Sequence, residues 1–168
     1  MRGDRPLLPA EYGVPESSDG TLPWEFVEER LVAAPNYWVA TVGPGGAPHV
    51  RPVDGVWVDG ALCFGGSPKT RWVRNLQQDG RLSVHLPHDD EVIILEGRVE
   101  FVIDASNPLA QPSMQASRAK YPQYYGGDDA PAFRPFWVLR PVTVYAWTLT
   151  GFPANVTRWH LDEAVPGS

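Results

Sequence analysis

The chain is poor in sulfur and in positive charge. A single cysteine, Cys63, stands among 168 residues, so no internal disulfide can form. That points away from a disulfide-stapled secreted scaffold and toward a reducing, cytoplasmic setting. Cys63 lies in the apolar run ALCF and reads as inert core packing. Lysine and arginine number 14 against 20 aspartates and glutamates, for a formal net charge of −6. A phosphate backbone demands a broad basic face, so this balance argues against a nucleic-acid binder. No apolar run approaches the roughly 18 residues of a membrane span. The N-terminal MRGDRPLLPAEYG lacks the apolar centre of an export signal. Catalytic signatures are missing too. There is no G-x-S-x-G, no H-E-x-x-H, no C-x-x-C, no P-loop and no G-x-G-x-x-G after a strand. Of the four histidines, His49 and His85 lie in strand-like runs. His88-Asp89-Asp90 joins two such runs without partners at ligand spacing, so it reads as a solvated turn and no metal is expected.

What is present is proline, tryptophan and alternation. Eighteen prolines and seven tryptophans punctuate the chain, and 43% of it is hydrophobic, enough for one core. Residues 1–20 are rich in Pro, Gly, Ser and Asp and read as a tail; 21–165 reads as one domain. Thr21 is expected to cap a helix over about 22–34, with Pro23 in its first turn. NYWVATVG and HVRPVDGVWV follow as strands around the turn PGGAP, the second interrupted by Pro52 and Gly55 as at an edge or bulge. VWV-DG-ALCF is the strongest hairpin signal, with Asp59-Gly60 at the turn. KTRWVRNLQQ has helical spacing. RLSVHLP and EVIILEGRVEFV read as two more strands. A helix near 109–121 and a loop through YPQYYGGDDAPAFRP come next. FWVLRPVTVYAWTL and NVTRWHL close the chain as strands. Hairpins dominate and βαβ units are absent, which predicts a mainly β antiparallel barrel with peripheral helices.

The stretch SPKTRWVRNL gathers charge in an acidic chain. Gly65-Gly66-Ser67 precedes a helix start, where free backbone N–H groups favour an anion. Lys69 and Arg71 add charge there, and Arg51 on the neighbouring strand is in a position to join them. The alternative is an ordinary solvated helix face. Arg158-Trp159 poses the same choice between packing and a ring that closes over a planar ligand.

In order and spacing these segments resemble the pyridoxamine 5′-phosphate oxidase-like split β-barrel family of flavin and deazaflavin proteins. YWVATVGPGGAPHVRPV resembles its opening hairpin. VWVDGALCFGGSPKTRWVRNLQQDGRLSV resembles its second hairpin, phosphate turn and helix. VIILEGRVEFV, FWVLRPVTVYAW and TRWHL resemble its later strands. The resemblance spans about Asn36 to His160. It implies a split β-barrel, usually a homodimer with cofactor sites at the subunit interface, binding FMN or the deazaflavin F420. Arg51 and Val53 would lie along the ring and ribityl chain, with Pro52 and Asp54 offering backbone contacts to the ring edge. Ser67, Lys69, Thr70 and Arg71 would take the phosphate, flanked by Arg74. Trp72 stands where the family commonly places a phosphate-binding lysine. Arg158, Trp159 or Trp147 would come from the second chain. The vitamin-B6 oxidase's own R-x-H signature is absent, so oxidation of pyridoxamine phosphate is not expected.

The implied function is an oxidoreductase exchanging hydride between F420 or FMN and a small conjugated molecule. The RNL and TRW segments are similar to those of the deazaflavin branch. Because the cofactor performs the chemistry, the lack of an acid–base pair is no objection. A flavin-binding carrier without turnover and a haem-handling split barrel are the competing readings. The latter would need an axial His49 or His160.

Overall fold

The structure, a computed structural model, describes residues 3–127 and 131–161. Asp128, Asp129 and Ala130 of the expected loop, and 162–165 of the expected domain, lie outside the described residues.

Aromatic and β-branched residues dominate the strands. β1 (Tyr37–Val42) pairs antiparallel with β2 (Pro48–Val53), and β3 (Gly55–Val58) with β4 (Ala61–Phe64). The β3–β4 turn places Asp59 at φ 48° and Gly60 at φ 71°, the left-handed pair that a two-residue hairpin requires. β5 (Arg81–His85) follows α2 (Arg71–Gln78), and β6 (Glu91–Val102) runs alongside β7 (Phe136–Thr148). β8 (Thr157–His160) pairs with the far half of β7. The order is β2-β1-β5-β6-β7-β4-β3, all antiparallel. The two ends of this order, β2 and β3, are successive in the chain and separated only by Asp54. The covalent chain therefore brings the ends of the curled sheet together, and the barrel is split at that seam. A bulge between Glu96 and Gly97 bends β6. A side chain on Gly97 would lie 2.9 Å from Leu139, so glycine lets the two strands stay close there.

The barrel interior is filled by Tyr37, Val39, Leu62, Leu95, Leu139 and their neighbours, and α1 (Trp24–Ala33) covers one end with Val27 and Leu31. A second cluster lies outside the β3–β4–β7 wall, where α3 (Ala110–Lys120) packs Ala110 near Val56, Cys63, Phe136 and Val138. Both faces of β4 are thus covered, which is why ALCF shows no polar alternation.

One detail differs from the sequence expectation. Thr21 does not cap α1: its hydroxyl donates to the Ser18 carbonyl at 2.9 Å, closing a turn, and the helix starts at Trp24 after an extended Pro23. Residues 3–20 lie on the body as a strap. Asp4 and Arg158 exchange backbone hydrogen bonds at 2.8 Å, and Arg5 donates to the carbonyls of Ser17, Asp19 and Val156.

Candidate functional site

The helix that follows the Gly-Gly turn is amphipathic, and its two faces do different work. Trp72, Val73, Asn75 and Leu76 are buried, while Arg71 and Arg74 are exposed. Asn75 is the polar member of the buried face. Its amide donates to the Thr41 hydroxyl at 3.0 Å, which fixes α2 against β1. That seats Arg71 beside the β1–β2 hairpin, next to Gly43. His49 lies buried on β2 between two cations: burial first, then the charges of Arg51 and Arg71, hold its imidazole below the ordinary value. Arg51 and Arg71 therefore share one neighbourhood although 20 positions separate them.

The turn before α2 is held by its own polar groups. The Thr70 hydroxyl and N–H both donate to the Ser67 carbonyl, and the Lys69 N–H donates to the Ser67 hydroxyl oxygen. Thr70 makes no side-chain cap, so the first N–H groups of α2 stay open beside these hydroxyls. Lys69, Arg71 and Arg74 form no ion pair among the described residues, and Arg51 donates only to the Val50 carbonyl. Arg51, Lys69, Arg71 and Arg74 thus have no carboxylate partner among the described residues, although the chain carries an excess of carboxylates.

Trp72 and Trp159, both among the cofactor-binding candidates, lie in the core of this chain. The Trp72 ring packs on Phe64 with centroids 5.8 Å apart and lies directly under Gly66, where an added Cβ would stand 2.1 Å from the ring. It supports the turn from below. Trp159 is 1% exposed, packs edge-on against Trp24, and closes the barrel end. Arg158 is bound in a two-pronged ion pair with Asp4 at 2.8–3.0 Å, so it is not free to reach a ligand within this chain. Val53 is buried, Pro52 exposed and Asp54 half-buried at the seam between β2 and β3.

Beyond the turn opens a cavity of about 450 Å³. Gly65, Gly66 and Ser67 form one wall and Asp54 another; Phe64, Met114, Tyr121, Tyr125 and Phe136 supply apolar surface. The size and lining suit a planar organic molecule. α3 and α4 (Pro122–Tyr125) roof it, and polar contacts tie this roof to the seam. The Lys120 amine donates to the Tyr37 hydroxyl and the Gly55 carbonyl, each at 3.1 Å. The Tyr121 hydroxyl accepts from the Gly55 N–H at 3.2 Å and lies 2.9 Å from the Gly55 carbonyl. Burial pushes the Lys120 amine down to about 8, with the Asp54 charge opposing the shift. Sequence reasoning missed Tyr121, Tyr125, Arg134 and Lys120, because residues 104–134 carry little periodicity. The one available signal was the concentration of tyrosines in YPQYY. Among the described residues no group of three or more His, Cys, Asp or Glu side chains could hold a metal.

No curated protein matches the sequence. Solved structures share the architecture. One is a pyridoxamine 5′-phosphate oxidase-related, FMN-binding protein from Nostoc punctiforme PCC 73102, 18% identical over 84% of this chain and 92% of that one, with a TM-score of 0.63. A heme-binding protein from Mycobacterium smegmatis is 22% identical over 83% and 59%, also at 0.63. An F420 reductase is 24% identical over 69% and 94%, at 0.51. At these identities the likeness establishes the fold. Residues 24–148 match the family described as pyridoxamine 5′-phosphate oxidase, more than two thirds of the chain, so the protein belongs to the pyridoxamine 5′-phosphate oxidase-like split-barrel family.

Proposed function

We propose that the protein is an oxidoreductase that uses F420 or FMN to exchange hydride with a small conjugated molecule. The observation that carries this reading is a turn whose Gly65–Ser67 end lines an aromatic cavity while its continuation into α2 carries Lys69, Arg71 and Arg74, which form no ion pair among the described residues. The donor set fits a phosphorylated ring cofactor. Lys69, Arg71 and the Ser67 and Thr70 hydroxyls stand ready for its phosphate, Arg51 and Arg74 flank them, and nothing lies within 4 Å of an added side chain on Gly65. The ring edge would run along Pro52–Asp54, facing the cavity. When bound, the cofactor supplies hydride exchange with a conjugated partner. The chain's own residues bind and orient. The cations fix the phosphate, the tied seam holds the backbone of Asp54 and Gly55 still, and the Tyr121–Tyr125–Phe136 roof restricts water over the cavity. Asp54 and Lys120 are the titratable groups near the seam and set its local field.

F420 is favoured over FMN by the similarity to the deazaflavin branch, with which the F420 reductase structure is compatible. A homodimer is part of the reading. Trp38, Val42 and Val50 are exposed apolar residues on the outward face of the β1–β2 pair, and Trp38 stacks on His85 at 5.9 Å. Such a face suits burial by a second copy. The net charge of −6 supports a role without nucleic acid. Among the described residues no helix is long and apolar enough to cross a membrane. The lone free, buried Cys63 suits a cytoplasmic location.

Titration of the full chain with FMN and with F420, followed by absorbance and fluorescence, tests the assignment. The double variant Lys69→Ala, Arg71→Ala is expected to weaken the bound cofactor by at least about 2 kcal/mol, because charge-assisted hydrogen bonds contribute roughly 1.5–3 kcal/mol each. Unchanged affinity would remove the phosphate assignment, and no binding of either cofactor would remove the proposal. Binding without turnover across a panel of enones and quinones would leave a carrier.

A further inference from the structure

The cavity contains two opposite charges that do not meet. Asp54 lines the wall at the β2–β3 seam, and Arg134 lines another part, ahead of β7 and over α4. Neither forms an ion pair among the described residues, and Asp54 makes no side-chain hydrogen bond there. The Arg134 guanidinium lies 5.4 Å above the Tyr125 ring. Tyr125 senses both charges. Burial raises its phenol most, Asp54 adds to the rise and Arg134 opposes it. The ring, the carboxylate and the guanidinium thus line one cavity of about 450 Å³, with no ion pair between the two charges. Two opposite charges that line one aromatic cavity without pairing with each other can each take up one end of a ligand that spans it.

We propose that this cavity selects a planar conjugated substrate carrying an acid group, read by Arg134, and a hydrogen-bond donor, read by Asp54. The inference rests on the reading of the neighbouring turn as a cofactor site, with the cavity holding the second reactant. Tyr125 and Phe136 sandwich or edge-pack the ring system, and Arg134 stacks over Tyr125 while its outer N–H groups remain free to clasp a carboxylate. Asp54 sits half-buried at the seam, where the cofactor ring edge is placed. The donor end of the substrate is thereby directed toward the cofactor and the acid end toward the mouth. This fixes the direction in which a substrate enters, and it excludes neutral rings that the apolar lining alone would accept.

Three naphthalenes of one shape test the proposal by calorimetric titration of the full chain: 6-hydroxy-2-naphthoate, 2-naphthoate and 2-naphthol. The hydroxy acid is expected to bind about tenfold or more tighter than either singly substituted probe, from one charge-assisted contact at each end. Arg134→Gln should bring the hydroxy acid down to the affinity of 2-naphthol and leave 2-naphthol unchanged. Arg134→Lys should restore part of the loss. Arg134 is exposed, so these variants fold as the parent does. Equal binding of the three probes, or an equal loss for the hydroxy acid and 2-naphthol in Arg134→Gln, would overturn the inference. So would displacement of bound FMN or F420 by the hydroxy acid, which would make the cavity the cofactor's own. Cofactor titration of the same preparations separates the two readings. A protein that binds cofactor but does not discriminate the probes loses only this inference. A protein that discriminates them but binds no cofactor loses the oxidoreductase reading.

Discussion

Gly66→Ala is the sharpest test of how Trp72 supports the anion turn. An added Cβ would lie 2.1, 2.7 and 3.1 Å from three atoms of the Trp72 ring. Carbon atoms rest at about 3.5–4.0 Å, so the ring or the turn must move by roughly 1.5 Å. The ring has nowhere to go. It is 6% exposed and held against Phe64. The turn must therefore rise, carrying Ser67 with it. Gly66 does not occupy the left-handed region, so alanine adds the clash and no backbone strain. Over-packing of this kind costs about 1–3 kcal/mol. Trp72→Leu vacates the space at the expense of a cavity, about 2–3 kcal/mol by comparison with aromatic truncations. The two changes relieve each other. On the Trp72→Leu background, Gly66→Ala should cost less than about 0.5 kcal/mol, giving a coupling of 1 kcal/mol or more. Urea unfolding of the four proteins, with tryptophan fluorescence and far-UV dichroism as paired probes, measures it. Cofactor titration gives the second readout. Affinity should drop in Gly66→Ala and recover in the double variant. Additive costs within about 0.5 kcal/mol would show that the ring does not set the height of the turn.

Three further outcomes follow from groups outside the turn. Arg30 on α1 clasps Glu91 on β6 through two hydrogen bonds of 2.7 Å, and this bond, more than any other cause, holds the Glu91 carboxyl below the usual range. Arg30→Met should cost about 1 kcal/mol at neutral pH, since both partners keep some solvent. The gap to the parent should close as pH falls below about 4, because a lowered carboxyl favours the fold only while ionised; a gap unchanged in acid would contradict this. Cys63 is buried with its thiol pushed up to about 12, so native protein should resist a neutral thiol reagent that reacts at once after unfolding; rapid native labelling would refute the burial. Lys120, lowered to about 8, binds its proton more weakly in the fold than in the unfolded chain, so stability should rise between about pH 8 and 10 and that rise should vanish in Lys120→Met. An identical alkaline profile in the variant would exclude the amine as its source.

Some parts of this protein are written locally and some are not. The Asp59-Gly60 hairpin is legible because two successive left-handed residues have a strict chemical requirement, satisfied on the spot. α2 is legible because its apolar spacing meets the core directly. The surroundings of the two tryptophans beside cations are not legible, for the opposite reason. Whether a ring faces a ligand or the core is settled by partners far along the chain. Trp159 meets Trp24, and Arg158 is taken by Asp4, 154 positions earlier. Nothing within TRW announces either contact. ALCF is legible as a buried strand, but what covers its outer face is not written in it. Its uniform burial comes from α3, which lies outside the sheet and whose own sequence, AQPSMQASRAK, carries a weak apolar stripe. The Thr21 cap failed by a single turn of chain, because a hydroxyl near a helix start can satisfy a turn carbonyl instead.

The division between legible and illegible residues follows the division of labour at the site. The anion turn needs backbone N–H groups and cations at fixed spacing, so it is compact in sequence. The cavity needs only a shape and two separated charges, and these come from the β2–β3 seam, α3, α4 and the segment before β7. The two halves meet at Gly65–Ser67, which line the cavity, and at Asp54 and Gly55. There Lys120 and Tyr121 fasten the roof to the point where the sheet closes. On the proposed reading, substitution in α3, α4 and the segment just before β7 would reshape the cavity while the turn, held by Trp72 and Asn75 from beneath, stays in place. Cofactor and substrate would then rest largely on different elements, so such changes would alter specificity more than cofactor affinity.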